Sequence, residues 1–388
     1  MNFPEIPFID ELIALRRDIH AHPEPAFGEN RTAGIVAREL ERFGIAVHRG
    51  VGKTGVVGVL KAGSGSRSIG LRADMDALPI EEQNDFAHKS VYPGIMHACG
   101  HDGHVAMLLG AARCLAERPD FDGTAVFIFQ PAEEGEGGAL EMIKDGLFRR
   151  FPMDSVYGLH NWPGIKAGEI AAFEGPVMAG TSRFEITMRG RGSHAAMPHL
   201  ADDVIVAASQ LTMALQTVTS RSLHPTEAAV VSVTRFDAGS AWNALPEKAA
   251  LLGTTRFFNR DAQSEIGAAV TRLANGAAAA YGATAEVEFV YVNPPTVNTG
   301  IEANHCYDAA CGLLGKDKVI NNTRPSMASE DFSCLLEQRP GCYAWLGNGP
   351  ETDGRALHSP SYDFNDEILP VGIAYWVSLA QKLLGNPD

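Results

Sequence analysis

Apolar positions along the chain recur at two periods, and their order predicts an architecture. Leu12, Ile13, Leu15 and Ile19 fall at helical spacing within Asp10 to His20. His22-Pro23-Glu24-Pro25 ends that helix, because proline has no amide N–H to give to a helix interior. Arg31 to Phe43 repeats the pattern and stops at Gly44. Gly55 to Lys61 and Ser68 to Asp74 read as strands on either side of a Gly/Ser turn, and the G-x-G in that turn leads into a strand, which excludes a dinucleotide fingerprint. Asp102 to Glu117 reads as a helix, Gly123 to Gln130 as a fully buried strand and Gly138 to Lys144 as a helix. Strand and helix in alternation predict an α/β fold with a largely parallel sheet.

From about Thr181 the rhythm changes. Arg183 to Met188 alternates as a strand, Asp202 to Thr219 is an amphipathic helix, and Ala228 to Phe236 and Ala249 to Phe257 are strands. Asp261 to Tyr281 is again a helix and Thr284 to Val292 a strand. This β-α-β-β-α-β order is that of a ferredoxin-like α+β unit, closed by Asn293-Pro294-Pro295. After Pro295 the chain reads as helix and loop, ending in an apolar helix from Leu369 to Leu384. The expected organisation is one α/β domain, residues 1–180 and 293–388, interrupted by a smaller domain, residues 181–292.

Composition narrows the function classes. With 388 residues, 45% of them hydrophobic, the chain can bury a large core without disulfides. A formal charge of −15 argues against a phosphate-tracking surface, so no nucleic-acid partner is expected. The opening MNFPEIPFIDEL lacks a basic segment followed by an apolar core, and no apolar run reaches the roughly 18 residues of a spanning helix. The expectation is a cytoplasmic protein with no membrane partner. Six cysteines, at 99, 114, 306, 311, 334 and 342, contain no C-x-x-C pair and read mostly as buried thiols.

Candidate chemistry concentrates where predicted strands end. Met96 to His104 packs His97, Cys99, His101, Asp102 and His104 around a glycine, and thiolate and imidazole both bind divalent transition metals. Cys99 and His101 are the expected ligands, whereas His97 and His104 read better as satisfied histidines at a helix start. Glu133 and Glu134 directly follow the buried strand, where ligands of open α/β sheets bind. One can ligate a metal while the other serves as general base. His160 ends another short apolar strand and is either a core histidine or a ligand; His358 lies in a later loop. Asp74 and Asp76 close a third strand, as partners that orient ligands or as caps of the next turn. Five candidate ligands exceed what one tetrahedral ion needs, which favours a two-metal cluster and hydrolysis. No G-x-S-x-G elbow occurs, and a Cys99 nucleophile would leave the glutamate pair and His160 unexplained.

The series RADMDAL (Arg72 to Leu78), MHACGHDGH (Met96 to His104), PAEEG (Pro131 to Gly135), GLHNWP (Gly158 to Pro163), GSHAAMPH (Gly192 to His199), NALPE (Asn243 to Glu247), SEDF (Ser329 to Phe332) and LHSPSYDFND (Leu357 to Asp366) spans nearly the whole chain in order. It resembles the amidohydrolase branch of the aminoacylase and glutamate carboxypeptidase metallopeptidase family, which holds hippurate hydrolases and indole-acetyl amino acid hydrolases. The resemblance implies a zinc-peptidase-like catalytic domain with an inserted ferredoxin-like lid and dimerisation domain. It implies Cys99, His101, Glu134, His160 and His358 as metal ligands and Glu133 as the base that activates water, with Asp74 among the catalytic residues. His194 matches a lid histidine that polarises the scissile carbonyl, in its own or a neighbouring subunit's site. Asn243 and Arg256 match positions that hold a substrate carboxylate.

Two divalent ions per subunit are implied, manganese or zinc, with cobalt or nickel as further candidates, in a homodimer or tetramer. The implied reaction is hydrolysis of N-acyl amino acids, the alternative being a metallo-dipeptidase or carboxypeptidase acting on small peptides. A binder without catalysis would have lost Glu133 or a ligand, and neither is lost. One departure matters: many family members carry His-x-Asp where this chain has Arg72-Ala73-Asp74. Arginine cannot ligate a metal, so the second ion must be held differently, with Cys99 and His101 substituting.

Overall fold

A computed structural model describes residues 6–351 and 356–385; the first five residues, part of the targeting reading, lie outside them. Contacts divide the chain into two units. One runs through Val177 and takes up the chain again at Val297–Arg324 and from Asp331 onward; the other comprises Met178–Thr296 and Pro325–Glu330. Residues 325–330 thus belong with the second unit, where the sequence reading had assigned them to the first.

The first unit is built on an eight-stranded sheet. Its centre is four parallel strands in the order Gly123–Gln130, Ser68–Asp74, Ser155–Pro163 and Gly341–Gly349. Gly55–Ala62 and Ala46–Val51 extend one side antiparallel, and Ile170–Ala171 turns antiparallel on the other. The sheet is therefore mixed, with parallel pairing concentrated at its centre. The strand Gly341–Gly349 corrects the reading of helix and loop after Pro295. All nine of its residues are buried, so it lacks the alternation that marks a half-exposed strand. The helices His101–Glu117 and Leu369–Leu384 pack together, and their Leu108, Leu109, Ile373 and Trp376 are fully or almost fully buried in the same core. Burial of each such side chain contributes about 1.5–3 kcal/mol. Among the described residues no helix is long and apolar enough to cross a membrane.

The second unit holds a four-stranded sheet in the order Val230–Ala238, Lys248–Phe257, Gly180–Arg189 and Thr284–Asn293, every neighbouring pair antiparallel. Its helices are Val204–Leu215, capped by Asp203, and Arg260–Ala280, capped by Asn259, each cap accepting from backbone amides.

A buried ionic cluster braces the start of helix His101–Glu117. Arg16 reaches Asp102 at 3.2 Å and Asp366 at 2.9 Å, and His20 bonds Asp102 at 2.9 Å and Glu82 at 3.3 Å. Burial alone lowers the His20 imidazole, but the two carboxylates outweigh it and push it up to about 9. A folded value above the unfolded one, about 6.5, stabilises fully below pH 6.5 and is lost as pH rises through 9. The stability difference between wild type and His20→Gln, from urea unfolding, is expected to shrink by about 3 kcal/mol across that window. A difference that stays constant from pH 6.5 to 9 contradicts a charged His20.

Candidate metal centre

The turn before helix His101–Glu117 depends on Gly100. It has φ +90, and a Cβ there would lie 2.3 Å from Asn161 Nδ2 and 2.5 Å from Tyr362 Oη. Only glycine takes that conformation in that space, and the turn buries Cys99 and His101 close together. His101 Nδ1 donates to the Asp76 carbonyl at 2.9 Å, which leaves the Nε2 lone pair for a ligand. His160 repeats the arrangement, Nδ1 donating to the Asn161 carbonyl at 2.5 Å and Nε2 lying 3.4 Å from Cys99 Sγ. The other two histidines of the segment differ. His104 Nε2 accepts the Asn161 backbone N–H at 3.0 Å, so Nδ1 donates to Asp74 at 2.6 Å and both nitrogens are engaged. His97 is buried, and burial lowers its imidazole to about 4, so the ring stays neutral.

The parallel strands set the remaining groups side by side, since Asp74 pairs in register with Gln130 and Arg72 with Gly158. Beyond Gln130 the chain places Glu133 and Glu134, and Asp76 Oδ2 accepts the Glu134 amide at 2.9 Å. Glu134 Oε1 is 3.9 Å from His101 Nε2 and 3.2 Å from His358 Nε2. His358 sits at φ +64, with its amide bonded to the Ala98 carbonyl at 2.8 Å. Cys99, Glu134 and His358 bring ligand atoms within 4.8 Å of one another, as do His101, Glu133 and Glu134. All five sequence-derived ligands, with Glu133, therefore meet at one place.

This donor set suits a divalent cation. His101 Nε2 and Glu134 Oε1 are buried without a hydrogen-bond partner, a costly state unless a cation takes their lone pairs. Burial lowers the His101 imidazole, but Asp74, Asp76 and Glu134 reverse that and push it up to about 10. Burial, with Glu134, Glu133 and Asp74, also holds the Cys99 thiol well above its ordinary range. Protons thus collect where excess negative charge is concentrated, and a metal ion would displace them.

Arg72 lies in the buried layer beneath. It donates to Asp74 at 2.6 Å, to Gln130 at 2.9 Å and to Asp331 at 3.4 Å. Asp74 has one oxygen on His104 and the other on Arg72, and it stands 3.7 Å from His101 Nε2. Sequence reasoning passed over Asn161, whose side chain donates to the Cys99 carbonyl at 2.6 Å and contacts His104 at 3.0 Å. Its place directly after His160 was the available signal.

Three predicted substrate-facing residues lie in the second unit. His194 pairs across a short two-strand ladder with Ala244, next to Asn243. Its Nδ1 accepts the Ala196 amide at 3.1 Å, which puts the proton of a neutral ring on Nε2 and makes that atom a donor. His194 and Asn243 are exposed. Arg256 is half-buried, donating to Thr254 Oγ1 at 2.6 Å, the Thr255 carbonyl at 3.0 Å and the Met327 carbonyl at 3.1 Å.

Residues 70–382 match the sequence model of peptidase family M20/M25/M40. The chain belongs to that family. Among M20/M25/M40 relatives it is 41% identical to a hippurate hydrolase of Campylobacter jejuni, over 96% of this chain and 97% of that one. It is 39% identical to an N-acetylcysteine deacetylase of Bacillus subtilis, over 97% and 98%. A solved dinuclear metal-binding M20 peptidase from B. subtilis superposes with TM-score 0.85 at 35% identity, covering 98% of this chain and 99% of that one. This M20/M25/M40 member is a metal-dependent amidohydrolase.

Proposed function

We propose that this protein hydrolyses the amide bond of N-acyl amino acids to a carboxylic acid and a free amino acid. The observation that carries the reading is the convergence of Cys99, His101, Glu134, His160 and His358 around Glu133, in a chain similar throughout to a hippurate hydrolase. The five residues would hold two divalent ions, manganese or zinc in the first instance. Bound there, the ions supply Lewis acidity that polarises a carbonyl and makes water more acidic.

Glu133 takes a proton from the attacking water and returns it to the amide nitrogen. As the new C–O bond forms and the C–N bond breaks, the amino acid leaves as an amine. The His194 Nε2–H donates to the carbonyl oxygen as negative charge builds on it. Asn243 and the Arg256 guanidinium are assigned to the substrate carboxylate. Asp74 acts from behind, fixing His104 and through it Asn161. The first unit is assigned the catalytic role and the second that of lid and assembly surface, in a cytoplasmic homodimer or tetramer.

A substrate panel tests the reading. Hippurate and N-acetyl amino acids are expected to be cleaved by metal-loaded enzyme, with products identified by mass spectrometry. Matched dipeptides with a free α-amino group are expected to react at least about tenfold more slowly, the discrimination that one buried unpaired polar group confers. Faster cleavage of the dipeptides would transfer the assignment to a dipeptidase.

A further inference from the structure

Four non-glycine residues of the described chain have positive φ: Phe27 at 57, Lys53 at 78, Ala132 at 52 and His358 at 64. Side chains avoid this left-handed region, and a residue persists there only when its surroundings hold it. Ala132 immediately precedes Glu133 and Glu134. Two of the four, Phe27 and Ala132, meet at one carboxylate outside the catalytic set, that of Glu29, and Lys53 lies beside it. Its Oε1 accepts the Ala132 amide at 2.9 Å and the Phe27 amide at 3.0 Å, and its Oε2 accepts the Thr54 hydroxyl at 2.6 Å, one residue beyond Lys53. Lys53 Nζ lies 3.6 Å above the Phe27 ring, which closes the group.

Glu29 occupies the N-cap position of helix Asn30–Arg42 yet makes no side-chain cap. Glu24 does that work instead, its two oxygens accepting the Arg31 and Thr32 amides at 2.8 Å each. With the helix start satisfied from elsewhere, Glu29 is fully buried and turned toward the Pro131–Glu134 segment.

We propose that Glu29 is a positioning residue that holds Ala132 in its left-handed conformation and thereby aims Glu133 and Glu134. The inference rests on the assignment of Glu133 as base and Glu134 as ligand. Without the Oε1 acceptor, Ala132 relaxes toward the ordinary right-handed or extended regions and the two carboxylates following it rotate away. Asp76 holds the far end of the segment through the Glu134 amide, so the disturbance falls on Glu133 and on the approach of Glu134 to His101.

The experiment compares Glu29→Gln, Glu29→Ala, the double variant Glu29→Ala/Ala132→Gly and Glu133→Gln in metal-loaded full-length enzyme. It reads kcat, metal content and thermal midpoint. Glu29→Gln keeps an oxygen able to accept both amides, and its kcat is expected within about threefold of wild type. Glu29→Ala is expected to lose at least about tenfold in kcat, since small misplacements of catalytic groups cost up to a hundredfold. Adding Ala132→Gly is expected to return at least about a third of the lost activity, because glycine enters the left-handed region without steric cost.

A purely structural Glu29 would show a different pattern, since Ala132→Gly would then shift the thermal midpoint without restoring kcat. Unchanged kcat in Glu29→Ala, or a double variant no better than the single one, overturns the proposal. Should Glu29→Ala fail to fold, Glu29→Asp, too short to reach both amides, carries the same comparison with and without Ala132→Gly. Glu133→Gln separates the two levels. Activity surviving in that variant removes the underlying assignment, whereas its loss alongside a fully active Glu29→Ala removes the positioning role alone.

Discussion

Glu133→Gln is expected to lower kcat for N-acyl amino acid cleavage by about three orders of magnitude, within the range that removal of a general acid–base group produces. The carboxamide has nearly the same shape and can still accept the Asp331 amide that reaches Glu133 Oε1 at 3.4 Å. It cannot take up a proton from water or return one to the leaving amine. The packing of the buried side chain is preserved, and the ligand atoms of Cys99, His101, Glu134, His160 and His358 are untouched. Metal content measured by mass spectrometry should therefore stay at the wild-type level. A variant that keeps more than about a tenth of wild-type kcat would show that another group moves the proton.

Cys99→Ala is expected to weaken metal binding by more than about a hundredfold, exceeding what loss of an outer partner costs. The thiol is 3.4 Å from His160 Nε2 and within 4.8 Å of the Glu134 and His358 ligand atoms, so its removal opens the cluster on two sides. Metal that binds the folded but not the unfolded chain stabilises by about 4 kcal/mol at a thousand times Kd. Chelation should accordingly lower the thermal midpoint of wild type and hardly alter that of Cys99→Ala. The same variant settles the thiol's chemistry. Loss of activity with full metal retention would make Cys99 a nucleophile, and loss of both activity and metal makes it a ligand.

The Cys-x-His pair, the glutamate pair after a buried strand and His160, within Ser155–Pro163, stood out in the sequence because metal chemistry demands particular residue types toward the carboxyl ends of strands. The inserted unit was readable from a change of period, since half-exposed strands and amphipathic helices write their burial into the sequence. Gly341–Gly349 was not readable because, unlike the similarly buried Gly123–Gln130 with Val126 and Ile128, it holds three glycines and no β-branched residue to mark a strand.

Residue type alone pointed to a hydrolytic metal centre and a short set of candidate ligands, because few side chains can bind such an ion. Which histidines are free to ligate depends on their three-dimensional partners. His101 and His160 spend Nδ1 on backbone carbonyls and keep Nε2 open, while His104, three residues from His101, is consumed by Asp74 and Asn161. Likewise nothing in a Glu at a helix start announces that its carboxylate serves Ala132, more than a hundred positions away. Hydrogen bonds between distant segments depend on where the packed core brings those segments, and local sequence records only what each residue can offer.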